Sequence, residues 1–322
     1  MSRPSGERNG LRVAVTGATG DLGQLLLPLL EADERVERII AIDMAKPRAH
    51  GPKVEFRRVN LAQAGGELDL RDVLLEAGAD HLFHLAFLYG RIHNASFAHE
   101  LEVIGSMHAL SAVAQAGVKR LIIPSLTALY GARPQHPALL REDAPLHGCK
   151  GSRFVNDKVE VEQQFASFGQ KHPETKVIIL RFAPIIGPSV DNPITRLLRT
   201  RVVPTLMGFD PLWQVVHEDD AAAALLLSLF ADVSGAFNVA AHGVISLSAL
   251  VRWSGGIAVP LPSPMARAAI RALEAAGVAS VPAALLDFIH YSWVADGRRA
   301  QDELGFCARF DSRDAAVSMR SS

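Results

Sequence analysis

The sequence predicts an α/β fold, a doubly wound parallel sheet with helices on both faces, and three observations lead to it. Strand-like and helix-like segments alternate through the first two thirds of the chain, a pattern typical of parallel sheets with crossover helices. The first strand runs directly into a glycine-rich turn. The 322 residues suffice for one large domain and a smaller lobe. The expected strands span 11–16, 38–43, 54–59, 81–86, 119–125 and 176–182, and the expected helices span 21–32, 68–77, 97–116 and 153–170.

The glycine-rich turn after the first strand has the spacing of a dinucleotide-binding motif. Gly17 permits a sharp turn, Gly20 lets the backbone approach a pyrophosphate, and Gly23 lets the helix pack close to the sheet. The start of the following helix offers unpaired N–H groups and a positive dipole end to an anion. The turn therefore predicts a dinucleotide site at the start of the helix 21–32.

Asp43 ends the second expected strand, twenty residues after Gly23. A carboxylate at this distance suits the ribose hydroxyls of NAD and would repel the 2′-phosphate of NADP. We therefore expect NAD as the cofactor. Lys46 and Arg48 follow closely, so NADP stays an alternative, and a solvated loop carboxylate is the other interpretation of Asp43.

Composition and charge exclude several classes of function. The 33 basic and 34 acidic residues give a formal net charge of −1, and no basic stripe with interleaved aromatic residues occurs, so no nucleic-acid partner is expected. Two distant cysteines, Cys149 and Cys307, fit a reducing cytosol, and no cluster has metal-ligand spacing. Residues 1–10 lack the apolar core of a signal peptide, and the apolar stretch 221–230 is too short to cross a bilayer. We expect a cytoplasmic protein without a membrane partner.

Six further short segments follow the glycine turn in a fixed order along the chain. They are 83–86 (FHLA), 117–125 (GVKRLIIPS), 129–131 (LYG), 180–188 (LRFAPIIGP), 216–220 (VHEDD) and 237–240 (FNVA). With these segments and the glycine turn, the chain resembles the extended short-chain dehydrogenase/reductases, in the NAD-dependent epimerase/dehydratase group. The resemblance implies a small-molecule substrate and a homodimer formed through the helices near 97–116 and 153–170.

The resemblance also implies a division of the chain and a set of cofactor contacts. A Rossmann-type NAD(P)-binding domain is expected at 10–185 plus about 213–243. A smaller, discontinuous carboxyl-terminal substrate lobe is expected at about 186–212 and 244–322. The cofactor-binding residues implied in this way are Gly17, Thr19, Gly20, Asp21, Leu22, Gly23, Asp43, Asn60, Leu61, Leu85, Ala86 and Lys158.

The active centre departs from the family pattern, which is Tyr-x-x-x-Lys together with a Ser or Thr. In the family the lysine lowers the tyrosine pKa and binds the nicotinamide ribose, while the tyrosine relays a proton. Lys158 occupies the lysine position, but Phe154 occupies the tyrosine position and cannot transfer a proton. Leu126 stands where the hydroxyl is expected, and Ser125 and Thr127 flank it as substitutes. The alternative is that Lys158 is a solvated lysine on a structural helix.

The substrate side departs as well. Trp213 stands four residues before His217, where relatives that bind nucleotide sugars usually carry a diphosphate-binding arginine. Indole in place of guanidinium removes a bidentate phosphate clamp and adds apolar area, so we expect an apolar or aromatic ligand. Tyr89 and His147 are further pocket candidates, and a core position is the alternative for Trp213. Glu102 stands where an asparagine is common in the family.

Three functions remain open from the sequence. The first is an NAD-dependent oxidoreductase or epimerase acting on a small, apolar or aromatic substrate that is not a nucleotide sugar. The second is a non-redox enzyme on the same fold, performing elimination, cyclisation or isomerisation. The third is a non-catalytic, dinucleotide-binding sensor or scaffold. Phe154 and Leu126 weigh against the first function, while the intact glycines and Lys158 weigh against loss of the cofactor.

Overall fold

The computed structural model describes residues 10–48, 51–87, 100–149, 152–275 and 285–321. The strands are β1 (Leu11–Thr16), β2 (Val36–Asp43), β3 (Val54–Arg58), β4 (His81–His84), β5 (Arg120–Leu126), β6 (Lys176–Phe182), β7 (Ile185–Ile186), β8 (Val202–Leu206), β9 (Leu212–Trp213), β10 (Val216–His217), β11 (Gly235–Val239), β12 (Ile245–Ser246) and β13 (Ile257–Leu261). The helices are α1 (Asp21–Ala32), α2 (Gly66–Ala77), α3 (Gly105–Ala116), α4 (Arg153–Lys171), α5 (Pro193–Leu198), α6 (Glu218–Phe230), α7 (Leu247–Trp253), α8 (Ser263–Ala275), α9 (Leu285–Phe288), α10 (Arg298–Leu304) and α11 (Ser312–Ser318).

Seven parallel strands form the central sheet in the order β3–β2–β1–β4–β5–β6–β11. This arrangement confirms the doubly wound fold, and the six expected strands lie within two residues of their predicted bounds. The order reverses between β1 and β4, and open α/β sheets bind ligands in the crevice beside such a reversal, at the carboxyl ends of the strands. A ligand site is therefore expected at the carboxyl ends of β1 and β4.

The alternation of side chains along β1 explains why both faces of the sheet are covered. Val13 and Val15 are fully buried against α1 and α6, while Ala14 between them is buried on the opposite face, which α2, α3 and α4 cover. Successive side chains of a strand point to opposite faces, so a central parallel strand must be apolar on both.

The expected helix 97–116 differs from the structure in its first turn. A π-helical turn, Glu100–Ile104, precedes α3, and residues 97–99 lie outside the described part. Short π-helical insertions often occur at functional sites, because the extra residue re-aims the side chains around it. Glu102 lies in this turn.

A third apolar core, the substrate-lobe core, lies beyond the carboxyl edge of the sheet. It joins residues from the 186–215 and 245–319 stretches to Leu129 and Tyr130, which follow β5. Small two-stranded pairs, β8 with β13 and β9 with β12, support it. The domain boundaries themselves stay a prediction. In the described ranges, no helix has the length and apolarity to cross a membrane.

Candidate functional site

Two glycines of the turn after β1 are required by backbone contacts. Gly17 has a positive φ of 69°, and a Cβ there would lie 2.4 Å from the carbonyl oxygen of Leu85. A Cβ at Gly23 would lie 2.5 Å from the carbonyl oxygen of Gly17. Either side chain would therefore push the turn away from β4 or α1 away from the turn. The fold itself accounts for these two glycines.

Gly20 is a different kind of position. Its φ is −71°, and apart from its chain neighbours Thr19 and Asp21 the only described heavy atom within 4 Å of a Cβ there is the Gly17 carbonyl oxygen, at 3.3 Å. Gly20 is also the N-cap of α1, and it supplies no side-chain acceptor to the first-turn N–H groups. An open backbone surface next to unsatisfied helix N–H groups is the arrangement that receives a phosphate.

Asp43 is held beside this turn. Its Oδ2 accepts hydrogen bonds from the backbone N–H and the hydroxyl of Thr19, at 2.9 and 2.8 Å, and its Oδ1 accepts from the N–H of Met44 at 2.6 Å. Asp21, the first residue of α1, accepts from the N–H of Asp191 at 3.0 Å and so connects the turn to the chain after β7. The predicted ribose carboxylate and the predicted phosphate turn thus lie together.

The remaining cofactor candidates follow the neighbouring strands. Leu85 and Ala86 follow β4, and the Leu85 N–H donates to the Thr16 carbonyl at 3.0 Å. Asn60 and Leu61 follow β3, and the Asn60 side chain accepts from the N–H of Ala62. Because parallel strands end at one edge of the sheet, these residues share the edge that carries the turn.

Lys158 is buried in an ion pair. Its Nζ donates to Oε2 of Glu102 at 2.7 Å, and the two side chains are only 3% and 2% exposed. The same Nζ lies 4.1 Å from the centre of the Phe87 ring. Burial lowers the pKa of Lys158, and the carboxylate of Glu102 opposes that effect. Phe154 lies one turn earlier in α4, and its side chain is outside the described part.

His84 is a neutral group in the same region. It is completely buried at the end of β4, where its Nδ1 lies 2.8 Å from the Thr16 hydroxyl. Burial, together with the charge of Lys158, lowers the pKa of His84 to about 3. Its Nε2 has no hydrogen-bond partner in the described ranges. An imidazole in this state is not a proton carrier at neutral pH.

Ser125 belongs to a buried polar network. Its hydroxyl donates to Glu162, whose other oxygen accepts from Nε and a terminal nitrogen of Arg181 at 2.8 and 2.6 Å. Arg181 also donates to the Tyr130 hydroxyl at 2.7 Å, and that hydroxyl donates to Asn238 at 2.8 Å. The pKa of Tyr130 is raised by burial. The network joins β5, β6, β11 and α4, so these groups hold the sheet together.

Thr127 has a different environment from Ser125. It begins the 3-10 turn Thr127–Tyr130, is buried, and makes no hydrogen bond through its hydroxyl to any described residue. Leu126 between them is half-buried and packs on the substrate-lobe core. Of the two flanking hydroxyls, Thr127 is therefore the one not committed to a structural partner.

The structure does not bring the predicted substrate-pocket residues together in one pocket. Trp213 is fully buried in the substrate-lobe core, where its Nε1 donates to the Phe288 carbonyl at 3.0 Å and its ring meets Trp293 edge-on at 5.2 Å. His147 is exposed and stacks 6.1 Å from His136. Tyr89 lies outside the described residues. The pocket roles of these residues stay predictions.

Sequence reasoning missed most of the buried network. Arg181 and Asn238 lie in two of the segments that carry the family resemblance, but nothing in the sequence pairs them with Glu162 or Tyr130. Glu162 itself carried no signal, because an acidic residue on a helix is ordinary. Glu102 did carry a signal, its departure from the usual asparagine, but its pairing with Lys158 emerges only in three dimensions. In the described part of the chain, no group of His, Cys, Asp or Glu could hold a metal ion.

Comparison with known proteins defines the class. Residues 13–240 match the NAD dependent epimerase/dehydratase family, and the chain belongs to that family. It is 30% identical to an uncharacterized protein of Mycobacterium tuberculosis over 311 residues, which are 94% of this chain and 81% of that protein.

Two further proteins are similar to this chain. A 3-diazoavenalumate denitrifying reductase from a Streptomyces species is 26% identical over 242 residues, 71% of this chain and 75% of the reductase. The solved structure of MoeE5 in complex with UDP-glucuronic acid and NAD superimposes with a TM-score of 0.73 at 24% identity, covering 96% of this chain and 98% of MoeE5. The fold-level likeness thus extends over the carboxyl-terminal part of the chain as well as the sheet.

Proposed function

We propose that this protein binds NAD at the carboxyl edge of its sheet and acts as an oxidoreductase or epimerase on a small, apolar or aromatic substrate that is not a nucleotide sugar. The observation that carries the proposal is the open backbone at Gly20 next to Asp43, which Thr19 holds in place. The family and the NAD complex of MoeE5 support it. Between the two activities, the reductase relative favours oxidoreduction.

The residues of the turn fit a dinucleotide in a specific way. The first-turn N–H groups of α1 would donate to the pyrophosphate, and the absence of a side chain at Gly20 leaves room for it. Asp43 would accept hydrogen bonds from the adenine ribose hydroxyls, and its charge disfavours a 2′-phosphate. Lys46 and Arg48 are exposed, and the hydrogen bonds of the Asp43 carboxylate go instead to Thr19 and Met44. When bound, the nicotinamide ring supplies hydride transfer.

The apolar character of the substrate rests on two positions. Leu126 replaces the usual hydroxyl and packs on the substrate-lobe core, and Trp213 replaces the usual diphosphate-binding arginine and is itself buried in that core. Both changes remove groups that would bind or polarise an oxygen-rich ligand. A nucleotide sugar would therefore lack its phosphate clamp.

A second candidate function follows from the state of the centre. Ser125 is bound to Glu162 and Lys158 to Glu102, so one candidate hydroxyl and the lysine at the family position are both engaged by carboxylates. This arrangement favours either a non-redox enzyme or a non-catalytic sensor of the dinucleotide. Both alternatives keep NAD binding and lose family-type turnover.

The proposed assembly is a homodimer in the cytoplasm. Ile104 and Met107, next to and within α3, are 39% and 55% exposed, so apolar area on this helix is available to a second copy. Phe165 of α4, by contrast, is fully buried within the chain. The support for a dimer therefore comes from α3 and its preceding turn.

Titration of NADH, followed by its fluorescence, tests the proposal. We expect wild type to bind NADH more tightly than NADPH, and Gly20→Val to weaken NADH binding by about tenfold or more, because the side chain would occupy the phosphate position. Gly297→Val is a matched control, since Gly297 also precedes a helix at negative φ and a Cβ there meets its nearest neighbour at 3.7 Å. UDP- and dTDP-sugars should leave the melting temperature unchanged.

Three outcomes would count against the proposal. Equal NADH binding by wild type and Gly20→Val, or none by either, would remove the dinucleotide site. Tighter binding of NADPH would reverse the role given to Asp43. A rise of several degrees with a UDP-sugar would contradict the apolar substrate.

A further inference from the structure

The buried ion pair between Lys158 and Glu102 joins two departures from the family pattern. Lys158 keeps the position of the family lysine, while the tyrosine position holds Phe154 and the asparagine position holds Glu102. The carboxylate comes from the π-helical turn Glu100–Ile104, which packs against α4. The chain has thus lost a hydroxyl near Lys158 and gained a carboxylate that contacts it at 2.7 Å.

A lysine buried to this degree needs an anionic partner to stay charged. An ammonium group loses its hydration when it moves from water into a protein interior, so the pKa of an unpaired buried lysine falls and the lysine loses its proton. Glu102 lies within hydrogen-bond distance and supplies the compensating charge. The Phe87 ring, 4.1 Å from Nζ, also favours the cation.

The other described charged and titratable groups around Lys158 have smaller effects on its charge. Asp157, its neighbour on α4, attracts the ammonium group from a greater distance. His84 on β4 is neutral at physiological pH and contributes no charge. Among the described residues, Glu102 is therefore the group on which the charge of Lys158 depends most directly.

We propose that Glu102 is a positioning residue that keeps Lys158 protonated and fixed in place, so that a centre without the tyrosine hydroxyl still presents an ammonium donor to the dinucleotide. This inference rests on the proposed binding of NAD. The glutamate and the phenylalanine are then a compensating pair of changes: the carboxylate holds the cation that the missing hydroxyl no longer contacts.

The test is the pH dependence of NADH affinity between about pH 7 and about pH 10, where lysines of lowered pKa lose their proton. Wild-type affinity should fall toward the alkaline end, because the ammonium donor is lost as the pH rises through the pKa of Lys158. In Glu102→Gln the fall should occur about one pH unit or more lower, since the buried lysine deprotonates earlier. Glu102→Asp keeps the charge and should restore the wild-type profile.

Two further variants show how NADH affinity depends on pH without the Lys158 charge and without an unrelated lysine. Lys158→Met should bind NADH about tenfold more weakly and with no alkaline fall, because the charged donor is gone at every pH. Lys171→Met removes an exposed lysine from the last turn of the same helix and should reproduce wild type.

The outcomes separate this inference from the proposed function. Absence of NADH binding by wild type overturns both. If wild type binds NADH but Glu102→Gln keeps the wild-type profile, or if Lys158→Met retains the alkaline fall, the positioning role is wrong while NAD binding stands. Should Glu102→Gln fail to fold, the double variant Glu102→Gln with Lys158→Met decides, because it buries no unpaired charge. If the double variant folds, the charge of Lys158 depends on Glu102 and the inference is supported. If the double variant also fails to fold, Glu102 serves the fold by itself and the inference is overturned.

Discussion

The glycine turn and the centre around Lys158 lie at the same edge of the sheet, yet they relate to the family pattern in opposite ways. The turn keeps all three glycines, because Gly17 and Gly23 face backbone atoms less than 3 Å from where a Cβ would be. The centre keeps Lys158 but engages it with a carboxylate, and does the same to the hydroxyl of Ser125. The turn is constrained by its own backbone, whereas the centre is constrained by side chains from elsewhere in the chain.

This difference shows where changes can accumulate in such a fold. A glycine whose Cβ would collide with backbone cannot be replaced without moving a strand or a helix. A proton-relay side chain can be replaced where another buried group pairs with its neighbour, and in the proposed centre Glu102 pairs with Lys158. The glycine turn therefore tolerates fewer substitutions than the side chains beside it.

The largest effect is expected from a substitution that breaks the buried network of Ser125, Glu162 and Arg181. Glu162→Gln removes the charge that compensates the buried Arg181, and loss of one partner of a buried ion pair costs about 3–5 kcal/mol. We expect a fall of this size in the free energy of unfolding, measured with urea. Glu160→Gln, an exposed position on the same helix, is the control and should change little. A loss below about 1 kcal/mol would show that the network is not structural.

The next largest effect is expected when the centre around Lys158 is returned to the family pattern, which the glycine turn already keeps. Phe154→Tyr with Leu126→Ser restores the family's hydroxyls, and general acid–base catalysis contributes about 10²–10⁴-fold. We expect the double variant to gain NAD-linked turnover on an apolar alcohol or ketone that wild type turns over poorly. The rates of NADH formation and consumption measure the gain. Ordinary turnover by wild type, unchanged by Phe154→Tyr, would place the acid/base group elsewhere, with Thr127 the first residue to replace.

The smallest effect is the difference in stability between alanine substitutions at two glycines of the turn, Gly23 and Gly20. Gly23→Ala forces a Cβ to 2.5 Å from the Gly17 carbonyl oxygen and should lower the free energy of unfolding by about 1–3 kcal/mol, as overpacking usually does. Gly20→Ala, with its nearest neighbour at 3.3 Å, should unfold close to wild type. Urea denaturation of both variants tests the contrast. Equal losses would mean that Gly20 also serves the fold.

Strand positions, the sheet class and the cofactor turn could be predicted from sequence because they depend on local patterns. Apolar runs bounded by glycine, as in β1, specify buried parallel strands, and glycine spacing specifies a backbone path. The position of Asp43 could also be predicted, because it ends a strand whose bounds follow from the apolar pattern. The family resemblance followed from many such short segments in order.

The state of each site side chain was decided by the tertiary structure alone. Lys158 meets Glu102 across 56 positions of sequence and Ser125 meets Glu162 across 37, distances over which no local pattern carries information. Trp213 could have lined a pocket or filled a core, and only the packing around Phe288 buried it. The physical reason is common to all three: burial and pairing depend on which elements meet, whereas a sequence by itself determines mainly which elements form.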